Sequence, residues 1–308
     1  MSYALSTRTS RLPVPSSNHE LWVSAIGRTD VGLVRTNNED AFLLGTLFGG
    51  RRAEGKTLDR QLTGDEGLLL AVSDGMGGAQ AGEVASALVV RSLRKMADEA
   101  PLEGSQLSAW LGRAVERVST RVWESARRSD RSGMGATLTG LFLRGGHAHV
   151  AQVGDSRAYL LRAGVLHQIT HDQSYVQVLL DAGVLTPAEA RTFPLRNVIL
   201  QTMGQGPGIV AALGRVALCR GDVFLLCSDG LTGEVQDDEI ADTLVSSPSL
   251  DHAAARLIQL ANERGGDDNI TVVVAQVDSP MLPTPDAAPL HRSVVETLRE
   301  YRPRRVVF

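Results

Sequence analysis

Cysteine is scarce in the sequence, and its histidines lack zinc-type spacing. The 308 residues include two cysteines, Cys219 and Cys227, and seven histidines. Both cysteines lie in apolar, strand-like stretches without the spacing of a zinc site or a disulfide framework. The absence of an H-E-x-x-H pattern disfavours a catalytic zinc site. Together these absences favour a reducing, cytoplasmic environment.

Long apolar runs and basic runs are also missing. No stretch approaches the ~18 consecutive apolar residues of a transmembrane helix, and the N-terminus lacks the apolar core of a secretion signal. The net charge is -4, and no strongly basic run precedes the last few residues, so a nucleic-acid-binding surface is not indicated. We therefore expect neither a membrane nor a nucleic acid as a partner.

The composition divides the chain into three regions. Residues 1–20 are rich in Ser, Pro, Thr and Asn and lack apolar periodicity, which predicts a disordered N-terminal arm. Residues 21–278 carry the patterns of one catalytic domain, interrupted by a charged, glycine-containing excursion at 49–67. Residues 279–308 begin as a proline-rich linker and end in a short basic tail, for which 291–308 predicts a short helix.

Apolar periodicity predicts an α+β fold. Apolar residues recur at helical spacing in 81–100 and 105–128, which predicts two consecutive amphipathic helices. Short β-rich stretches follow, with the glycine-containing turns typical of antiparallel sheet. A helical pattern interrupts them at 171–206, and 236–264 predicts a helix pair before a last strand. This order indicates helices outside packed sheets.

Aspartates lie at the ends of the predicted strands. Asp74, Asp155 and Asp229 each follow an apolar strand, and Asp267 with Asp268 precedes the last one. Because the end of one antiparallel strand meets the start of its neighbour, we expect these carboxylates to converge at one edge. Crowded carboxylates need cations, and oxygen ligands suit Mg²⁺ or Mn²⁺. Each Asp-Gly taken alone is more typical of a simple turn.

A further motif, GLVRTNNED, places Arg35 shortly before Glu39 and Asp40. A guanidinium donates bidentate hydrogen bonds to phosphate oxygens, and a neighbouring acid pair can hold metal-bound waters. The alternative is a surface arginine paired with Glu39 or Asp40, which is the commoner arrangement for an isolated arginine. Together with the aspartates, the motif favours a phosphate site.

These stretches resemble the protein phosphatase 2C family, in particular its short bacterial members, which are paired with Hanks-type serine/threonine kinases. The matches follow the family's order from about residue 22 to 277: GLVRTNNED, SDGMGGAQAGEVAS, GMGATLT, QVGDSRAYLLR, CSDGL and GGDDNITVVV. Single matches such as SDG are weak, whereas the ordered set is highly specific. The resemblance implies an αββα sandwich of two antiparallel β-sheets flanked by helices.

The resemblance also implies the core of a catalytic site. Asp74 matches the carboxylate that bridges two metals, and the Gly75 carbonyl matches a ligand of the first metal. Asp229 and Asp268 match ligands of the second metal. Arg35 matches the phosphate-binding arginine, so Arg35 and Asp74 are the implied catalytic residues.

Further positions have implied supporting roles. Glu39 and Asp40 match residues that act largely through coordinated water. Asp155, together with Asp229, matches a third and weaker metal site of bacterial relatives. Asn197 falls where a residue of the family's flap reaches toward that site.

The resemblance implies a metal-dependent protein serine/threonine phosphatase that hydrolyses its substrate with a metal-activated water. It implies two Mn²⁺ or Mg²⁺ ions at the core of the site and a third ion at the outer site. The implied partners are phosphorylated proteins, including a serine/threonine kinase, and we expect a monomer. Met76 occupies the place of a histidine proposed as general acid in animal relatives, which leaves the general acid unassigned. Ala136 replaces a frequent threonine, and we expect this change to alter packing rather than chemistry.

Two other functions stay open at this point. One is a binding module or inactive pseudophosphatase that recognises phosphoproteins without turnover, although Asp74, Asp229 and Asp268 are all present. The other is a metallohydrolase of small phosphodiesters or nucleotides, for which the sequence offers no recognisable base pocket.

Overall fold

The computed structural model describes residues 21–46, 56–62, 67–77, 81–97, 106–127, 133–285 and 294–303. The strands are β1 (Trp22–Asp30), β2 (Asp40–Thr46), β3 (Thr57–Leu62), β4 (Leu68–Met76), β5 (Gly135–Ala136), β6 (Leu138–Arg144), β7 (His147–Val153), β8 (Arg157–Arg162), β9 (Val165–Gln168), β10 (Ala212–Ala217), β11 (Val223–Cys227), β12 (Ile270–Asp278) and β13 (Glu296–Arg299). The helices are α1 (Ala81–Ala97), α2 (Leu107–Ala126), α3 (Tyr175–Asp181), α4 (Pro187–Thr192), α5 (Asp229–Thr232), α6 (Asp237–Ser246) and α7 (Leu250–Glu263).

The strands form two antiparallel sheets. The six-stranded sheet has the order β3-β1-β12-β11-β8-β9. The seven-stranded sheet has the order β13-β10-β7-β6-β4-β2, with β5 paired to β4. Sequence neighbours β6 and β7 pair directly, whereas β12 returns from the end of the domain to lie between β1 and β11.

Side-chain alternation along the strands explains the layering. On β4, Leu68, Leu70 and Val72 lie in the core between the two sheets, while Leu69 and Ala71 pack in the core beneath α1 and α2. Successive strand residues point to opposite faces, so a strand that is apolar at every position must be covered on both sides. The continuous apolar sequence of β4 is therefore typical of a strand inside a four-layer fold, in which each sheet packs against the other sheet on one face and against helices on its other face.

Helices cover the outer face of each sheet. Val89 of α1 and Val115 of α2 share a buried core with Phe142 of the seven-stranded sheet. Leu257 of α7 lies in a separate core with Val274 of the six-stranded sheet, together with residues of α6. The predicted αββα sandwich is confirmed, as are the consecutive helices α1 and α2. No helix in the described part of the chain is both long and apolar enough to cross a membrane.

Two elements differ from the sequence prediction. Part of the excursion at 49–67 forms β3, which pairs with β1. The helix predicted within 291–308 is wrong for its described part, because residues 296–299 form β13 and pair with β10. Its sequence suits either structure, and β10 offers a sheet edge whose backbone groups need partners. The predicted arm at 1–20 lies outside the described residues.

Candidate metal centre

The pairing of β2 with β4 brings the first acidic residues together. Asp40 lies directly opposite Asp74 in the strand register. The Gly75 amide donates a hydrogen bond to the Glu39 carbonyl oxygen over 3.1 Å. A Cβ at Gly75 would lie 2.1 Å from the carbonyl oxygen of Gly82, so only glycine allows the start of α1 to approach this closely. The pairing of β2 with β4 thus places the Asp40 and Asp74 carboxylates and the Gly75 carbonyl close together.

Thr137 fixes the backbone at Asp74. The Thr137 amide donates to the Asp74 carbonyl oxygen over 2.8 Å. The Asp74 amide donates to Thr137 Oγ1 over 2.9 Å, and Thr137 Oγ1 lies 2.6 Å from Ser156 Oγ. These two bonds use the amide and the carbonyl oxygen of Asp74 and do not involve its carboxylate. They fix the backbone from which the carboxylate projects.

Ser228 links Asp40 to the end of β11. Its hydroxyl donates to Asp40 Oδ2 over 2.7 Å and accepts from the Thr271 amide over 2.9 Å. Asp229 follows directly and begins α5. The Oδ1 atoms of Asp40 and Asp229 are both buried and have no hydrogen-bond partner. Unpartnered buried carboxylate oxygens are rare in proteins and require an explanation.

Asp268 and Arg35 form the exposed rim of this cluster. An Arg35 Nη2 hydrogen bond to Asp268 Oδ2 spans 2.8 Å, and about half of the Arg35 side chain is exposed. Arg35 thus makes an ion pair at the surface, but its partner is Asp268 rather than Glu39 or Asp40. The neighbouring Asn269 side chain accepts from the Glu39 amide over 2.8 Å.

Asp155 and Asn197 lie at an outer cleft. Asp155 follows β7, is only 7% exposed, and has a buried Oδ1 without a hydrogen-bond partner. Asp155, Asp229 and Asn197 line the same cleft of about 640 Å³. Asn197 is exposed, and so is Asp267, which does not line this cleft. The structure thus brings Asn197 to the cleft and leaves Asp267 outside it.

Burial is the largest cause of raised carboxyl pKa values in the cluster. The pKa of Asp40 is raised to about 7: burial contributes most, hydrogen bonds from Thr271 and Ser228 oppose it, and the charges of Asp229 and Asp268 add to it. The pKa values of Asp74 and Asp155 are also well above their ordinary value, first because of burial and then because of neighbouring aspartates. Such a cluster binds protons in the absence of other cations, and bound cations compete with those protons.

The donor set fits hard divalent cations. The buried Oδ1 atoms of Asp40, Asp155 and Asp229 accept no hydrogen bond. Carboxylate oxygens are the ligands that Mg²⁺ and Mn²⁺ prefer. Among the described residues, no three His, Cys, Asp or Glu side chains are close enough together to hold one ion by themselves. That finding agrees with magnesium-type sites, in which one or two carboxylates bind the ion and waters complete the coordination.

Three buried glutamines, which sequence reasoning missed, anchor the stretch 171–206. Gln173 Oε1 accepts from the Gly154 amide and from Gln201 Nε2, both over 2.9 Å. Gln152 Nε2 donates to the Gly154 carbonyl over 3.2 Å. Gln173, near the start of this stretch, therefore bonds directly to the turn that precedes Asp155, and Gln201, near its end, bonds to Gln173. No sequence motif marks these residues, because a lone glutamine is usually exposed.

Ser228 and Asn269 were also missed, although each adjoins a predicted aspartate. Their role follows from hydrogen bonds between distant segments, which the sequence does not display. Of the two departures from the family pattern, Ala136 is fully buried in the core beneath α1 and α2, and its backbone pairs with Gly75 and Met203. Met76, at the end of β4, is 39% exposed.

Comparison with known sequences gives one consistent family. The protein phosphatase 2C family profile matches residues 59–274. Serine/threonine protein phosphatase PstP of Mycobacterium tuberculosis is 41% identical over 251 residues, which are 81% of this chain and 44% of PstP. The chain thus spans less than half the length of that relative. Serine/threonine phosphatase Stp of Listeria monocytogenes is 36% identical over 254 residues, which are 82% of this chain and 94% of Stp.

Solved structures agree. The crystal structure of the M. tuberculosis phosphatase PstP has a TM-score of 0.71 and 38% identity, and the match covers 84% of this chain and all of that one. A structure of the PstP catalytic domain in complex with two manganese ions has a TM-score of 0.70 at the same identity and coverage. Stp1 from Staphylococcus aureus has a TM-score of 0.73 at 32% identity, covering 89% of this chain and 100% of that chain.

Proposed function

Because the chain belongs to the bacterial branch of the protein phosphatase 2C family, we propose that it hydrolyses phosphoserine and phosphothreonine in proteins with two Mn²⁺ or Mg²⁺ ions. The observation that carries the proposal is the meeting of Asp40, Asp74, Asp155 and Asp229, with three buried carboxylate oxygens that accept no hydrogen bond. The two manganese ions bound by the PstP catalytic domain support this choice of metal.

We assign the ligands from the family pattern, and the local geometry is consistent with them. Asp74 would bridge the two ions, and the Gly75 carbonyl would bind the first. Asp229 and Asp268 would bind the second. When bound, two such ions lower the pKa of a water and neutralise charge on the phosphoryl oxygens.

The remaining proposed residues position water and phosphate. Glu39 and Asp40 would act through coordinated water. Arg35 donates to Asp268 through Nη2 alone among the described residues, so its other N–H groups would orient a phosphate for in-line attack. Asp155 and Asn197 would hold an outer ion at the cleft that they share with Asp229.

A cysteine-based phosphatase mechanism receives no support from Cys227. This thiol is fully buried, and burial raises its pKa to about 12. A reactive thiolate needs a lowered pKa and an accessible site. Cys219 and Cys227 do not form a disulfide, which is compatible with the proposed cytoplasmic location. The pairing with a kinase and the monomeric state stay predictions.

Adding metals back to metal-stripped protein tests the proposed function. The substrates are a phosphothreonine peptide, a nucleoside monophosphate and a phosphodiester. We expect Mn²⁺ or Mg²⁺, but not Zn²⁺, to restore hydrolysis, with the phosphopeptide preferred. Turnover that survives chelation, or a preference for the nucleotide or the phosphodiester, would contradict the proposal. Metal-dependent phosphopeptide binding without turnover would instead support the binding-module alternative.

A further inference from the structure

Two large apolar side chains are exposed immediately before Arg35. Leu33 is 69% exposed and Val34 is 64% exposed. Single exposed apolar residues are common on protein surfaces, whereas an adjacent exposed pair beside a candidate active site is a feature to explain. Neither residue belongs to a buried core cluster, so folding of the core does not account for their apolar character.

Hydrogen bonds hold the backbone of this pair in place. The amides of Leu33 and Val34 both donate to the Gly266 carbonyl oxygen, over 2.8 and 3.3 Å. The Asn269 side chain donates to the carbonyl oxygens of Val31 and Asn37, each over 2.9 Å. The loop 31–37 is therefore fixed at its centre and at both ends to the segment that carries Asp268.

Gly32 makes this close approach possible. Its φ is +79°, and a Cβ there would lie 2.3 Å from the Asp268 carbonyl oxygen. Its amide donates to Asp30 Oδ1 over 2.9 Å. A loop fixed in this way presents its side chains without a large ordering cost on binding, which is the property of a preorganised contact surface.

We propose that Leu33 and Val34 form the contact surface for an apolar side chain close to the phosphorylated residue of a protein substrate. This inference rests on the proposed function, because Arg35 is taken as the group that binds the phosphate. Adjacent Cα atoms are about 3.8 Å apart and an extended peptide advances about 3.3 Å per residue. Val34 and Leu33 are one and two Cα steps from Arg35, so the apolar side chain lies about one or two residues from the phosphorylated one.

A peptide series tests the inference. One leucine is moved through the four positions on either side of phosphothreonine in a serine-rich peptide, and kcat/KM is compared with that of the all-serine peptide. For the wild-type chain with Mn²⁺, we expect leucine at a position about one or two residues away to raise kcat/KM about three- to tenfold, as partial burial of one leucine permits. In the double variant Leu33→Asn/Val34→Thr, this ratio should fall close to one.

A matched control is Val165→Thr. Val165 is 55% exposed and pairs with Arg162 at the end of β8 remote from Asp155, so the wild-type ratio should persist. The inference is overturned if leucine at no position raises kcat/KM for the wild-type chain. It is also overturned if the double variant keeps the wild-type ratio, or if kcat/KM of the double variant falls by the same factor on every peptide. If the wild-type chain hydrolyses none of the phosphopeptides, the proposed function itself fails.

Discussion

The two ends of the seven-stranded sheet differ in the charged side chains that they bring together: carboxylates meet at one end, and arginine–glutamate pairs form at the other. At the β2–β4 end, two carboxylates, Asp40 and Asp74, lie opposite each other, and the buried Asp40 Oδ1 has no hydrogen-bond partner. At the β10–β13 end, Arg299 Nε donates to the Ala211 carbonyl over 2.7 Å and its Nη1 to Glu116 over 2.8 Å, while its Nη2 is buried without a hydrogen-bond partner. Arg215 pairs with Glu296 across the same two strands.

This difference separates a functional edge from a stabilising edge. Repelling carboxylates cost stability unless cations neutralise them, whereas a covering strand with paired charges satisfies exposed backbone groups. Functional sites commonly carry such local costs, which the rest of the fold must offset. Substitutions at the two ends should therefore have opposite effects on turnover and on stability.

The largest expected effect is that of Asp74→Asn. Because it removes the proposed bridging carboxylate, kcat should fall about 100-fold or more. The metal-free variant should stay folded, since it relieves repulsion within the cluster. Steady-state kinetics and circular dichroism measure both properties. The exposed Asp267→Asn is the control and should keep its rate; near-normal turnover in Asp74→Asn would refute the metal assignment.

The stability of the metal-free protein should depend on pH because of the buried carboxylates at the β2–β4 end. Asp40 has a pKa of about 7 in the folded protein against an ordinary value of 3.8, so the folded state binds the proton more tightly. The free energy of unfolding of the metal-free protein should therefore decrease as pH rises from about 4 to about 7. We expect the melting temperature to fall by at least about 5 °C across this range.

Added Mn²⁺ should reverse that trend, since a cation that binds only the folded state stabilises it more when the carboxylates are ionised. Asp74→Asn should show a smaller dependence on pH. Melting curves that are flat with pH in the metal-free protein would contradict the crowded-carboxylate account.

Removal of residues 294–308 probes the other end of the sheet. The truncation uncovers β10 and removes Val294 and Val295, which pack against the core between the sheets. We expect a loss of about 2–4 kcal/mol in the free energy of unfolding, because several hydrogen bonds and two partly buried side chains are lost. Chemical denaturation measures this change.

The truncated protein should keep kcat/KM on a small aryl phosphate at low temperature, because the proposed site residues lie between Arg35 and Asp268. Arg299→Ala should give a smaller loss of stability in the same direction. Arg302→Ala, whose side chain is 86% exposed, is the matched control. A truncation that leaves stability unchanged would show that β13 does not stabilise the domain.

Gln173→Leu should have the smallest effect. It leaves the Gly154 amide without its acceptor, which costs about 1–3 kcal/mol locally. Amide hydrogen exchange in the stretch 171–206 should accelerate while the two core Mn²⁺ ions remain bound. The exposed Gln259→Leu is the control. Unchanged exchange in Gln173→Leu would show that the glutamines do not anchor this stretch.

The two ends also differ in how far the sequence predicted them. Asp74 and Asp229 could be placed near the ends of β4 and β11, because the period of a strand and the antiparallel pairing fix where its end lies, although β4 continues past Asp74 to Met76. The strand at 296–299 could not be predicted, because its short sequence of mixed polar and apolar residues forms a strand only where β10 offers an open sheet edge. Ser228, Asn269 and Gln173 were missed because their hydrogen bonds join segments that are distant in the chain.

Anomalous diffraction from crystals of the wild-type chain grown with Mn²⁺ would locate the metal ions themselves. We expect two strong manganese peaks about 3.5–4 Å apart, with Asp74 between them and Asp229 and Asp268 on one side. An Asp74→Asn crystal grown in the same way should lose at least one peak. No manganese at this edge of the sheets, or peaks confined to other acidic residues, would show that these aspartates do not form the metal centre.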